Sequence, residues 1–288
     1  MKSVHLVLGS GGARGMAHIG VIDQLLEEGY TIASVTGCSM GAVVGGIYAA
    51  GYLDAYREWL LTLNKTNVFN LFDFTFTTQG FVKGDKVFQK IQQITGHHEI
   101  EDLAIPFTAV AADLLHKKEV HFTKGNLFKA LRASIAIPGV FTPVVEENSV
   151  LVDGSVLNPL PINLVRKKEG ELVFAVNLNG PYLPAPAKKE KPIAKESNDV
   201  WKWLNKLPLP SWNNTLSQPK QTKFSLFDLV NTSYDFTQDR LVEMMIDVYR
   251  PDLVVEIPRN ACGVFEFYRA KELIDLGRAE YLKAAKHG

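Results

Sequence analysis

Apolar positions along the chain switch between two spacings. Val4-His5-Leu6-Val7-Leu8 is a short, nearly continuous apolar run, which predicts a buried strand. From Met16 to Glu28 the apolar residues Ile19, Ile22, Leu25 and Leu26 fall at helical intervals, and Gly29 supplies a stop. A short β-branched run then leads to Ser39, and the small residues from Ala42 to Ala50 predict a helix ending at Gly51. Further helices are expected over about Asp54 to Leu63, Asp85 to Thr95 and Leu127 to Ile135. Strands are expected at Phe107 to Asp113, paired with Glu119 to Thr123, and at 150–152 and 173–178. The last third predicts a helix over about Thr237 to Tyr249, a strand from Leu253 to Ile257 and a final helix from Phe265 onward. Strands alternating with helices predict an α/β fold, a three-layer α/β/α arrangement around a mostly parallel sheet.

Two segments break this alternation. Phe69-Asn70-Leu71-Phe72-Asp73-Phe74-Thr75-Phe76 packs four phenylalanines into eight residues. It reads as a strand or loop covering the core, or alternatively as an acyl-chain channel or lid. Residues 181–225 form an insertion rich in Pro and Lys that also holds Trp201, Trp203 and Trp212, three of the four tryptophans. Tryptophan interleaved with lysine suits a membrane interface, where the ring sits among head groups and the ammonium meets anionic lipid. The competing reading is a partly disordered loop whose aromatics fold back on the body or onto a second subunit. The chain is otherwise read as a single domain spanning 1–288.

Composition narrows the partners. Thirty-one basic and 31 acidic residues leave no net charge, so no basic surface favours nucleic acid. Cys38 and Cys262 have neither a disulfide framework nor metal-ligand spacing, and no metal or cofactor is expected. The N-terminal apolar run is too short for a signal peptide and no 18-residue apolar stretch occurs, which predicts a cytoplasmic protein without a membrane span.

The chemistry concentrates around two glycine motifs. Gly37-Cys38-Ser39-Met40-Gly41 places a serine between a strand and a helix in the pattern of a nucleophile elbow, a turn too tight for side chains at the flanking glycines. The hydroxyl is thereby presented at a helix N-terminus, where free N–H groups favour negative charge. Upstream, Gly9-Ser10-Gly11-Gly12-Ala13-Arg14-Gly15 joins the first strand to the first helix. A dinucleotide fingerprint fails because the third glycine position holds Arg14, and no Lys-Ser or Lys-Thr follows for a phosphate loop. Converging amides in such a loop suit an oxyanion. Arg14 could orient the loop, attract a phosphate head group or cap nearby carbonyls. His18, one turn later, is read as packing and hydrogen-bonding, Cys38 as a small apolar residue of the elbow, and Met244 and Met245 as core.

A base is harder to find. Of His5, His18, His97, His98, His116, His121 and His287, only the near-terminal His287 lies late enough to complete a hydrolase triad in the order serine, acid, histidine. Only 38 residues precede Ser39, too few for the several strands that come before an α/β-hydrolase elbow. Leu151-Val152-Asp153-Gly154-Ser155 offers a carboxylate at the end of a strand, in the position of an Asx-turn, a cap or a catalytic acid.

Taken together, the loop Gly11-Gly12-Ala13-Arg14-Gly15, the elbow at Ser39 and Asp153-Gly154 resemble, in order, the motifs of the patatin-like phospholipase family. Arg132 to Phe141 and Asn158-Pro159-Leu160-Pro161 are also similar, and the resemblance covers roughly residues 4 to 180 and 226 to 282. Ser155 departs from it, since the family usually carries glycine or alanine there. The resemblance implies a histidine-free dyad in which Ser39 attacks an ester carbonyl and Asp153 takes its proton. It also implies an oxyanion hole from Gly11, Gly12, Ala13 and Arg14, supported by Gly37, Gly41 and Gly154. The expected activity is lipid acyl hydrolysis of phospholipid, lysophospholipid or another fatty acyl ester, with peripheral membrane contact through Trp201, Trp203 and Trp212. A soluble short-chain esterase, thioesterase or acyltransferase, and a lipid-binding regulatory protein with little turnover, are the alternatives. With no catalytic histidine, no ionisation near pH 6.5 is expected to govern activity.

Overall fold

In the computed structural model, residues 2–71, 73–77, 80–182 and 226–287 are described. Ten strands and eight α-helices are found among them. The first half contains β1 (Ser3–Leu8), α1 (Ala17–Glu27), β2 (Thr31–Cys38), α2 (Met40–Ala49), α3 (Leu53–Leu61), α4 (Lys65–Leu71), β3 (Phe74–Thr77), β4 (Gly80–Val82) and α5 (Asp85–Thr95). The remainder contains β5 (Phe107–Asp113), β6 (Lys118–Phe122), α6 (Leu127–Ser134), β7 (Val144–Glu146), β8 (Ser149–Asp153), β9 (Leu172–Gly180), α7 (Leu226–Tyr249), β10 (Leu253–Pro258) and α8 (Ala270–His287).

The main sheet runs in the order β10-β9-β1-β2-β5-β8-β7, with β6 also on β5. The pairs from β10 across to β5 are parallel, and those involving β6, β7 and β8 are antiparallel. The expected mostly parallel α/β sheet with flanking helices is therefore present. Its strands are apolar on both faces because both faces are covered. On one face Val4, Leu6 and Leu8 of β1 join residues of α1, α2, α6 and α8 in the main core. On the other, Val7, Val173 and Ala175 pack with Leu160, Ile162 and Val242, the last from α7. Fully buried side chains such as Leu6, Ile19, Ile22 and Leu25 each stabilise the fold by about 1.5–3 kcal/mol.

Strand β5 does most to place the site. Its edge toward β2 is occupied over Phe107–Val110, where Cys38 lies opposite Val110. The same edge is then taken over by β8, with Asp153 opposite Ala111, while β6 holds the other edge. Because β2 runs parallel to β5 and β8 antiparallel, their C-terminal ends meet end to end beside Val110 and Ala111.

Several boundaries differ from expectation. Strand β2 is eight residues long. Helix α1 starts after a 3-10 turn at Gly12–Met16, and Leu26 is exposed, pointing away from the apolar face. Helix α7 begins at Leu226, well before Thr237, and Met244 on it faces solvent where core was expected. The phenylalanine-rich stretch divides between the end of α4, a helix not anticipated there, and strand β3, which falls within the strand-or-loop reading. The side chains of Phe72, Phe74 and Phe76, and residues 183–225 with Trp201, Trp203 and Trp212, lie outside the described residues. Among the described residues no helix is long and apolar enough to cross a membrane.

Candidate active site

Ser39 stands at the junction of β2 and α2 with φ 55° and ψ −125°. That backbone region is unfavourable for any residue with a side chain, and holding a serine there costs on the order of 1–3 kcal/mol. The surroundings enforce it. The Ser39 amide donates to Ser134 Oγ (2.9 Å), which in turn donates to the Val110 carbonyl (2.6 Å). A Cβ on Gly41 would lie 2.0 Å from the Leu8 carbonyl oxygen, and one on Gly37 would lie 2.5 Å from that of Gly41. Both clashes are with backbone, which cannot swing aside. Gly41→Ala is accordingly expected to destabilise the protein by about 1–3 kcal/mol or more, read as a lowered denaturant midpoint or loss of soluble protein. An unchanged midpoint would contradict this account of the elbow.

Asp153 ends β8 and is fully buried. Its Oδ1 accepts from the Ser155 amide (2.8 Å), and the Cys38 thiol approaches the same oxygen at 3.8 Å. Oδ2 has no well-formed hydrogen bond, although the Ser39 hydroxyl is near enough to favour the ionised carboxylate. Loose contacts of this kind are common before substrate binds. Burial pushes the Asp153 carboxyl up to about 6, opposed by the Ser155 and Ser39 hydroxyls, the Ser155 amide and the Cys38 thiol. This corrects the expectation that no ionisation near pH 6.5 would matter, because a dry site moves a carboxylate toward that range without any histidine. Cys38 is buried too, but it turns its thiol to Asp153 and is not merely an apolar filler.

The glycine loop faces Ser39 across the site. Gly9 donates to the Val176 carbonyl (3.0 Å) and Ser10 to that of Pro159 (2.9 Å). The Ala13 amide is committed to the Val264 carbonyl at 2.8 Å, so it cannot receive an oxyanion as expected. At the start of the loop, no hydrogen bond is seen from the Gly11 or Gly12 amide among the described residues. Gly12 has φ +57° and lines the same cavity as Ser39. The Arg14 side chain is turned away and buried, donating to the carbonyls of Leu178 (2.8 Å) and Arg259 (3.1 Å) and to Asn179 Oδ1 (3.1 Å). Burial and the charge of Arg259 push its guanidinium down to about 10. Of the roles weighed for Arg14, capping and orienting the loop fit its contacts. His18 donates through Nε2 to the Gly9 carbonyl (2.9 Å), and burial pushes it down to about 4, so it stays neutral.

Ser39 lines an apolar cavity of about 70 Å³. The walls come from Met40 and Val43 of α2, Leu60 of α3, Val68 and Leu71 of α4, Phe88 and Ile91 of α5, Ile137 and Phe141, and Val264, Phe265 and Phe267 before α8. Among the described lining residues, Tyr56 and Trp59 are the only ones besides Ser39 whose side chains carry nitrogen or oxygen. A carbonyl carbon held at Ser39 would thus project its chain into apolar walls. Val68 and Leu71 give the phenylalanine-rich region a share in this lining. Ser134, Tyr234 and the Val264–Phe267 segment were not anticipated from the sequence. Among the described residues no group of His, Cys, Asp and Glu is arranged to hold a metal ion.

Residues 6–166 match the family model described as patatin-like phospholipase. An uncharacterised NTE family protein of Mycobacterium tuberculosis is 36% identical over 327 aligned positions, covering 96% of this chain and 89% of its own length. A lysophospholipase of Neurospora crassa is 27% identical over 226 positions, covering 76% of this chain and 14% of its own length. Among solved structures, VipD from Legionella pneumophila aligns with a TM-score of 0.48 and 12% identity, over 99% of this chain and 67% of that one.

Proposed function

Because the chain belongs to the patatin-like phospholipase family, we propose that it hydrolyses fatty acyl esters of lipids through a Ser39–Asp153 dyad. Family membership and the lysophospholipase relatives support lipid acyl hydrolase activity as the broad class. The observation that carries the finer reading is the position of Ser39, which lines an otherwise apolar cavity next to a buried carboxylate with one unengaged oxygen.

In this reading Ser39 Oγ attacks the ester carbonyl as its proton passes to Asp153 Oδ2. The amides of Gly11 and Gly12, together with the N-terminus of α2, hold the oxyanion, each such donor being worth about 10²–10³ in rate. Asp153 returns the proton to the leaving alcohol, and an acyl-enzyme remains. Water, deprotonated by the same carboxylate, then releases the fatty acid and restores Ser39. A base near 6 suits this cycle better than an ordinary aspartate near 4, since it holds the proton more firmly while remaining ionised at neutral pH.

The test is hydrolysis of an ester series of increasing acyl length, free in solution and in phospholipid vesicles. The reading expects kcat/KM to rise with chain length as methylenes enter the cavity, by roughly threefold to fourfold per buried CH₂ until its end is reached. A preference for acetyl or propionyl esters would point to soluble short esters or thioesters, and no turnover of any ester to a lipid-binding protein. Stronger activity on vesicles would support the contact proposed for Trp201, Trp203 and Trp212.

A further inference from the structure

Helix α7 reaches the turn that carries Asp153 through two side chains. The Tyr234 hydroxyl lies 2.9 Å from Ser155 Oγ, and Gln238 Nε2 donates to the Ser155 carbonyl at 3.2 Å. Ser155, buried, is the residue whose amide already holds Asp153 Oδ1. It is at this position that the chain carries serine in place of the small glycine or alanine expected from the family pattern.

We propose that Tyr234 is a positioning residue for the base: its hydrogen bond to Ser155 Oγ, with that of Gln238 to the Ser155 carbonyl, holds Ser155 so that its amide donates to Asp153 Oδ1 and fixes the orientation of that carboxylate. This rests on the dyad reading of Ser39 and Asp153. An ionised carboxylate can only accept, so an amide held in line with Oδ1 favours the ionised form. The other groups facing Asp153 are the Cys38 thiol and the Ser39 hydroxyl, and Glu119 on β6 acts on Cys38.

The same helix is held again at Asp235, beside Tyr234, and at Asp239, about one turn on. Asp235 pairs with the buried Arg259 at 3.0 Å, and Asp239 pairs with it as well. Arg259 in turn offers its carbonyl to Arg14 of the glycine loop. Helix α7 therefore touches the supports of both the base and the loop opposite.

The test is a double-mutant cycle on the full chain with p-nitrophenyl butyrate, reading kcat/KM against pH. Tyr234→Phe removes one hydroxyl and keeps the ring. It is expected to move the acid limb to higher pH by about half a unit to one unit, lowering kcat/KM at pH 6 more than at pH 8.5 and leaving KM unchanged. Ser155→Ala is expected to move the limb further in the same direction. The double variant should match Ser155→Ala alone, because Tyr234 acts only through Ser155. An acid limb unmoved in Tyr234→Phe, or effects that add in the double variant, would overturn the proposal. If Tyr234→Phe lowers the melting temperature enough to blur its profile, the limb in Ser155→Ala decides alone, since the backbone there accepts a small residue. Failure of the dyad reading is distinguishable: Ser39→Ala would then retain activity, whereas failure of the positioning role alone leaves Ser39→Ala inactive and Tyr234→Phe indistinguishable from the parent.

Discussion

Ser39→Ala is expected to reduce ester hydrolysis by about 10⁴–10⁶-fold while the protein remains folded. The alanine keeps the Cβ, the amide bond to Ser134 and the strained backbone, and removes only the attacking oxygen. What remains is the glycine loop and the apolar cavity, which still bind substrate, so KM should change little. Labelling by a fluorophosphonate, strong in the parent, should vanish in the variant. Ser39→Gly makes a sharper comparison. It is equally inactive, but glycine tolerates φ 55°, so the melting temperature should rise as about 1 kcal/mol of strain is released. Activity in Ser39→Ala near that of the parent would remove Ser39 from the chemistry, and equal stability of the alanine and glycine variants would remove the strain.

Asp153→Asn is expected to abolish activity and to stabilise the protein at neutral pH. A carboxyl raised to about 6 from an ordinary 3.8 binds its proton more tightly in the folded state than in the unfolded one. The folded state therefore has its full advantage below about pH 4 and loses it as pH rises through about 6, where the buried group must ionise. Asparagine never ionises, and its amide oxygen still accepts from Ser155. Above pH 6 the variant should be more stable than the parent by on the order of 1–3 kcal/mol, and near pH 4 the two should converge. The parent's kcat/KM should rise with pH through an apparent pKa of about 6 and then level, because only the ionised carboxylate can take the Ser39 proton. Denaturant unfolding at both pH values checks the first claim and a pH–rate profile the second. A flat profile between pH 5 and 8, or an asparagine variant less stable than the parent at pH 8, would contradict the environment described for Asp153.

The parts of this protein that were legible in its sequence are those where one physical demand dominates. Strands β1, β5 and β9 are buried on both faces, so their apolar runs stand out, and the elbow glycines mark backbone contacts that no other residue allows. Helix α7 was half hidden because its first half turns polar residues inward. There Tyr234, Asp235, Gln238 and Asp239 make polar contacts while Phe236 is 76% exposed and Val230 also faces out, whereas further along Val242 is buried against Val7 and Val173. Periodicity looks for apolar residues inward and meets polar ones between Tyr234 and Asp239. Ser134 was invisible for another reason: a single serine at the end of a helix has no spacing signal, and only the folded chain brings it beneath the elbow. The glycine loop was found as a motif, but the commitment of the Ala13 amide depends on Val264, some 250 residues away, so sequence alone could not separate Gly11 and Gly12 from Ala13. The raised carboxyl of Asp153 is likewise a property of burial, which no local pattern encodes.

The end-to-end meeting of β2 and β8 beside β5 also bears on how such a chain can change. Ser39 and Asp153 are gauged against neighbouring residues of one strand, Val110 and Ala111, so their separation does not depend on what the chain does between them. Helices α3, α4 and α5, which supply much of the cavity wall, all fall in the excursion between β2 and β5. That excursion can lengthen, shorten or be rebuilt without moving either reacting group. If the proposed dyad acts, acyl preference could therefore change through residues 53–95 while Ser39 and Asp153 stay where β5 places them.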